Sequence, residues 1–313
     1  MNGRHCMTAA LAAGLIVVAV PSGAKEGADQ YPNGSENWMA GALPPPGNYF
    51  INYLGWYGGE LKDGSGDAAR LPDGRGGTAR GDVDAVFNAL RFIKVTDLSL
   101  LGASWALHAI VPVVYQDADF AALGSDSVAG IGDIVVDPLI LGWHFGEWHF
   151  VFGLDIYLST GKYSDDGNPS NDIGANYNSI EPAFAFTYLG QNGVEVSAKL
   201  MYNIKAENDD TNYQSGDEFH MDYLVGYHMG PWAFGVSGYY LKQTSDDEVD
   251  GRTVAEIPGL WSRGRKGEVF AAGPSVNYKA SNGMMFIGQW QHEFDAENRF
   301  EGDKVWFKLV APF

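Results

Sequence analysis

The stretch Trp148-His149-Phe150-Val151-Phe152-Gly153-Leu154-Asp155-Ile156-Tyr157-Leu158 decides the fold. Its even positions are all apolar: Trp148, Phe150, Phe152, Leu154, Ile156 and Leu158. The odd positions include His149, Gly153 and Asp155. This is period two, the mark of a strand with one apolar face, where a helix would repeat every 3.6 residues. The split recurs at Ile180, Pro182, Phe184, Phe186 and Tyr188 against Ser179, Glu181, Ala183, Ala185 and Thr187. It returns at Val194, Val196, Ala198, Leu200, Tyr202 and Ile204 against Glu195, Ser197, Lys199, Met201 and Asn203, and again at Phe219 to Tyr227 against Glu218, His220 and Asp222.

A soluble sandwich also alternates, so strand length and loop order must separate it from a membrane barrel. The same reading extended along the chain gives strands at 48–57, 82–95, 102–116, 131–143, 147–158, 178–188, 194–204, 217–227, 232–243, 268–278, 284–294 and 303–313. Most are long for a globular protein and match the roughly 9–11 residues that cross a bilayer at a tilt. Long and short connections alternate, as in outer-membrane barrels with short periplasmic turns and longer outer loops. The expected fold is all-β: a transmembrane antiparallel up-and-down barrel of about 12 strands over residues 48–313, with both ends of that barrel in the periplasm. Aromatic girdles fit it, with Trp105, Trp148, Tyr188, Tyr227, Trp232 and Tyr278 near the short turns, and Tyr57, Tyr115, Tyr202 and Tyr240 near the long loops.

Composition agrees. Among 313 residues, 45% are hydrophobic and 19% charged, which excludes intrinsic disorder. A net charge of -19 argues against nucleic acid as a partner. The one cysteine, Cys6, excludes a disulfide framework and a cysteine-rich metal site. Residues 1–24 read as a cleaved signal peptide: Arg4 and His5, then an apolar stretch from Ala9 to Val20, then Ser22-Gly23-Ala24 before the cut. The apolar stretch is shorter than the roughly 17–25 residues of a spanning helix. Residues 25–47 are rich in proline and glycine and include Pro44-Pro45-Pro46. They are either a stiff periplasmic arm or a constriction folded into the barrel mouth.

The end of the chain alternates Val305, Phe307, Leu309, Ala311 and Phe313. An amphipathic final strand ending in phenylalanine is expected to be read by the barrel-assembly machinery, with Phe313 as the signal. The expected surroundings are outer-membrane lipid and lipopolysaccharide in a Gram-negative bacterium.

The motifs Tyr31-Pro32-x-Gly34, Leu43-Pro44-Pro45-Pro46-Gly47-x-Tyr49, Gly130-Ile131-Gly132-Asp133, Ser159-Thr160-Gly161-Lys162-Tyr163, Glu181-Pro182, Tyr213-x-Ser215-Gly216-Asp217-Glu218-Phe219-His220 and Gly273-Pro274 carry a resemblance. In their order along nearly the whole exported chain they resemble the outer-membrane proteins of the MetA-pathway of phenol degradation family. Ser159 stands where relatives tend to have proline. The resemblance implies an outer-membrane barrel that admits small hydrophobic molecules.

With the apolar face toward lipid, the lumen face collects Asp84, Arg91, His108, Asp133, Asp137, Asp155, Glu181, Glu195, Lys199, Glu218, His220, Asp222 and Glu293. Charges inside a narrow barrel must pair, acids with Arg91 or Lys199. Phe50 and Leu54 are expected on the lumen side of the first strand, and Tyr163, Tyr177, Tyr213 and Trp261 on the long loops as the elements that capture a solute. Enzyme chemistry is not expected. A barrel phospholipase needs a serine beside an outward histidine, and His292 has none near it in sequence. Asp217, Glu218 and His220 are the residues a rim protease would use. No cofactor or metal is expected, since the acidic loops, including Asp165-Asp166 and Asp246-Asp247-Glu248, lack calcium-loop spacing. The expected function is passive uptake of small hydrophobic, aromatic compounds; the alternatives are a diffusion pore for hydrophilic solutes or a structural barrel with a sealed lumen.

Overall fold

The structure, a computed structural model, describes residues 29–121, 124–164 and 172–313. The expected signal peptide, with Cys6, and the Asp165-Asp166 pair lie outside the described residues. Thirteen strand segments form one sheet in which each neighbour is antiparallel and the last strand returns to the first. Two of those segments, Ser125–Ile131 and Ile134–Phe145, follow one another along the same partner and make one interrupted strand. The barrel therefore has twelve strands. They are β1 Gly47–Leu61, β2 Asp82–Leu100, β3 Ala103–Asp119, β4 (the interrupted strand), β5 Trp148–Leu158, β6 Ser179–Leu189, β7 Val194–Lys205, β8 Glu218–Met229, β9 Trp232–Gln243, β10 Glu268–Lys279, β11 Met285–Glu297 and β12 Phe300–Pro312.

The outside of the barrel is apolar and the inside polar, the inverse of a sandwich. Phe184, Val225 and Phe307 are 45%, 57% and 50% exposed, whereas Glu181, Glu195 and Asp222 are fully buried. Rings stack along the outer wall, as Trp148 does on Phe150 and Trp232 on Phe234. In lipid a closed ladder leaves no strand edge unpaired, which is why the wall must close. The closing register pairs Tyr53 with Lys308 and Trp56 with Val305.

Turn chemistry fixes one end. Leu101 and Gly102 both have positive φ, 54° and 76°, as a type I′ hairpin requires. At the other end, two connections are shorter than the periodicity suggests. β3 and β4 run on to leave only 120–124 between them, and β11 and β12 are joined by Asn298-Arg299. Polar residues such as Asp117, Asp119 and Asp126 are compatible with a strand that has left the membrane, so their polarity did not mark a loop.

Three expectations about faces are corrected. Phe50 and Leu54 lie on the outer wall of β1, where Leu54 is 44% exposed, and Tyr57 points inward to Glu293. Asp84 also faces outward, accepting a hydrogen bond from Trp56 Nε1 at 2.7 Å. Asp84 and Arg91 have opposite parity on one strand, so period two cannot put both inside. β1 is apolar on both sides, and hydropathy alone does not say which side meets lipid.

Residues 29–46 run inside the barrel. Asp29 is held by Arg299 at the long-loop end, and the segment descends past Trp38 and Leu43 to Gly47 at the short-turn end. Side chains of the wall such as Gln289 and Lys304 reach the described part of this segment from the inner face. The barrel strands begin and end on the short-turn side as expected, but the described chain starts at the opposite mouth.

Candidate functional site

The plug is held by hydrogen bonds. Asp222 on β8 accepts three of them, from Tyr31 Oη at 2.7 Å, the Gly34 amide at 2.7 Å and the Glu36 amide at 2.8 Å. Gln289 and Gln291 donate to the Gly34 carbonyl at 2.7 and 3.2 Å. Lys304 and Lys308 donate to the carbonyls of Asn33 and Ser35 at 3.1 and 2.5 Å. Lower down, Trp38 Nε1 donates to Ser275, the Met39 amide to Glu195 and the Gly41 amide to Thr187. Each pairing satisfies a backbone or side-chain polar group of the plug that burial would otherwise leave costly. Gly34 is obligatory: its φ is 86°, and a Cβ there would lie 2.1 Å from Gln291 Oε1. The lower end is anchored differently, by Leu43 in an apolar cluster with Ile93, Val95, Ala106 and Ile140.

Charge pairing runs across the plug and the wall. Glu36 accepts from Arg91 at 2.7 Å and from Tyr53. Burial alone would raise the Glu36 carboxyl, but the cations of Arg91, Lys308 and Lys199 hold it below the ordinary carboxylate value. Asp29 is likewise pushed up by burial and pulled well below by Arg299. Arg91 continues to His108 at 2.9 Å, His108 to Asp155 at 3.0 Å, and Asp155 to Lys199 at 3.5 Å. Lys205 pairs with Glu218 at 2.9 Å and His220 with Glu181 at 3.0 Å.

His108, Asp137 and Asp155 offer ligand atoms within 4.8 Å of one another. Their hydrogen bonding does not suit a cation. Arg91 can only donate to His108 Nδ1, so the neutral ring carries its proton on Nε2, facing Asp155, and has no lone pair left for a metal. Both oxygens of Asp137 accept backbone amides, of Leu139 at 2.7 Å and Leu154 at 2.8 Å.

Above the plug lies a cavity of about 330 Å³. One wall is apolar and comes from β1, β2 and β3: Leu61, Val83, Phe87, Ala89, Pro112 and Val114. Its roof is formed by Leu71, Phe120, Trp261 and Phe300, which pack with Leu260 and Ile257 where the loops 62–81 and 244–267 fold over the mouth. Tyr31 and Pro32 of the plug make the floor, and Glu293, Arg299, Lys304 and Gln116 the polar side. Arg265 stacks 4.4 Å over the Trp261 ring and steadies that lid.

The expected capture residues divide. Trp261 lines the cavity. Tyr213 is 1% exposed in a small sheet of loop strands, donating to Asp247 at 2.5 Å and accepting from Arg265 at 2.9 Å. Tyr177 is 2% exposed, and burial pushes its hydroxyl up to about 12. Tyr163 accepts from Asn208 at 3.1 Å. Tyr177 and Tyr213 therefore build the outer loops and cannot meet a solute there, because those loops fold on one another through buried hydroxyls.

On the wall, Arg91, His108, Asp137, Asp155, Glu181, Glu195, Lys199, Glu218, His220, Asp222 and Glu293 all face inward as expected. Asp133, in the break of β4, holds Gln30 and the amides of Gly161 and Ala175. His292 sits outside with Asp303 at 3.0 Å, and Glu218 and His220 are engaged in separate pairs. Sequence reasoning missed Tyr53, Gln289, Gln291, Lys304 and Lys308. The alternation of Val305, Phe307 and Leu309 did carry the last two, since it puts Lys304, Trp306 and Lys308 on the other face.

The sequence profile described as the MetA-pathway of phenol degradation matches residues 63–309. Among solved structures, an outer-membrane channel from Pseudomonas putida F1 is similar with a TM-score of 0.69 at 15% identity, covering 87% of this chain and 97% of that one. The translocator domain of the autotransporter NalP from Neisseria meningitidis gives 0.49 at 9% identity, covering 88% and 92%. A deletion mutant of the TodX monoaromatic hydrocarbon channel gives 0.39 at 11%, covering 88% and 91%. No curated protein sequence matches the chain.

Proposed function

The chain belongs to the MetA-pathway of phenol degradation family, and on that premise we propose that it is an outer-membrane channel for passive uptake of small hydrophobic, aromatic compounds. The observation that carries this reading is the cavity of about 330 Å³ with an apolar wall under an aromatic lid. A dry apolar cavity of about 150 Å³ is enough for benzene, so a one-ring aromatic fits with room to move. Burial at about 25 cal/mol per Å² of apolar surface gives weak capture, as a route that must release its solute requires. The charged lumen below is tied into pairs and plug contacts, so it offers a hydrophilic solute few free groups and little space.

The test compares cells that express the protein with cells that lack it. Uptake of a neutral one-ring aromatic such as toluene should be faster with the protein, and sugar permeation unchanged. Strong sugar-driven swelling of proteoliposomes with no gain in aromatic uptake would favour a hydrophilic diffusion pore instead. The two mouths of the barrel would then face the medium and the periplasm of a Gram-negative cell, with long loops outermost.

A further inference from the structure

From Tyr31 to Gly41 the segment inside the barrel is bonded to one half of the wall. Its hydrogen bonds on that side go to β6, β7, β8, β10, β11 and β12. Toward β1, β2 and β3, among the described residues, the same stretch sends a single bonded side chain, Glu36, which accepts from Arg91 at 2.7 Å and from Tyr53. The seam on that side is otherwise apolar. At its top is the cavity wall of Phe87 and Ala89, which packs with Tyr53 and Trp306. At its bottom Leu43 of the plug meets Ile93, Val95 and Ala106. Ile51 packs against both clusters, so the apolar surface continues past Arg91. The register agrees, with Ile51 opposite Arg91 and Tyr49 opposite Ile93, one step nearer the short turns. Arg91 stands two residues from Ala89 above and two from Ile93 below, about 7 Å of strand in each direction.

We propose that this seam between the plug and β1 to β3 is the route by which an aromatic solute leaves the cavity toward the short-turn mouth, with the Glu36 contact and Leu43 as its two gates. The inference rests on the hydrophobic-uptake reading above. A solute moving down the opposite side would have to break a row of buried hydrogen bonds, and each break leaves a polar group without a partner. Along the seam it parts only the contact at Glu36 and exchanges the packing of Leu43 for apolar contacts of its own, which is nearly an even trade. Arg91 keeps Tyr53 at 3.1 Å and His108 at 2.9 Å, so the cation stays held when Glu36 swings away.

The experiment makes two measurements on full-length barrel whose folding is verified by heat-modifiable migration: toluene binding in detergent, and the initial rate of toluene uptake by cells. Ile93→Trp blocks the seam below Glu36 and leaves the cavity wall in place. It should bind toluene as the parent does, yet take it up no faster than cells without the protein. Leu43→Ala widens the lower gate and should raise toluene uptake above the parent rate with sugar permeation unchanged; it decides alone if Ile93→Trp does not fold. Parent-rate uptake in folded Ile93→Trp would overturn the seam and send the solute out by another way. So would Leu43→Ala with no gain, or with equal gains for toluene and sugar, since the latter would mean that the whole segment has come loose. A parent that neither binds toluene nor takes it up would instead defeat the uptake reading, and the route with it.

Discussion

Asp222 Oδ1 lies 2.7 Å from the Gly34 amide, and this bond joins the middle of β8 to the middle of the segment that fills the barrel. The other oxygen takes Tyr31 and Glu36, so one carboxylate orders six residues of plug. Asp222→Ala leaves two amides and a hydroxyl without acceptors, each costing about 1–3 kcal/mol while buried. The plug should detach before the barrel unfolds. Single-channel conductance should rise and residues 29–46 should become protease-sensitive in Asp222→Ala, with Asp222→Asn intermediate. Unchanged conductance in the Ala variant would mean that the segment is held elsewhere.

Acid should act on the same latch. The Glu36 carboxyl is raised by burial but held below its ordinary 4.5 by Arg91, Lys308 and Lys199. A folded value below the unfolded one stabilises docking above the ordinary carboxylate range, and that contribution is lost as pH falls through the lowered value. Conductance should stay flat from neutral to mild acid and rise only below the ordinary carboxylate value. Glu36→Gln should lack that acid-triggered rise. A step centred at about pH 6 to 7 would assign control to a histidine instead.

The outer wall gives a test of register. Leu54 and Phe184 are both outward, at 44% and 45% exposure. Leu54→Arg and Phe184→Arg should each cost about 2–4 kcal/mol near the midplane, measured by refolding titration into lipid vesicles. Asp84→Ala, at the rim beside Trp56, should cost far less. A neutral Leu54→Arg would return that side chain to the lumen and undo the β1 register.

Phe313 ends the chain at the short-turn side, 73% exposed, with its amide donating to Asn48. Deleting it should leave export intact and reduce heat-modifiable, membrane-inserted barrel. An unchanged folded fraction on a semi-native gel would make the terminal residue incidental to assembly.

The strands were legible because one face of each must be apolar in lipid, and Trp148 to Leu158 shows this without help from neighbours. β1 was found as a strand but its facing was not legible, since Tyr53 and Tyr57 serve the plug and cavity while Leu54 and Trp56 serve the lipid, and all four are apolar or aromatic. The plug carries no periodicity for a reader to find. Its anchors, Asp222, Gln289 and Lys304, are scattered over three strands and converge only when the barrel closes. Tyr213 looked like a loop aromatic open to solvent, and it is the Asp247 and Arg265 contacts, far along the chain, that bury it.

An apolar solute should pass through the cavity beneath the outer loops. Ala89 lies on its wall and is small, so Ala89→Trp fills the space; because Ala89 packs beside Tyr53, which holds Glu36, residues 29–46 must stay protease-resistant in the variant. The direct measurement is the initial rate of toluene uptake by cells carrying equal amounts of folded parent or Ala89→Trp barrel. The rate in Ala89→Trp should be close to that of cells without the protein. A rate equal to the parent's, with the barrel folded and the cavity filled, would contradict it.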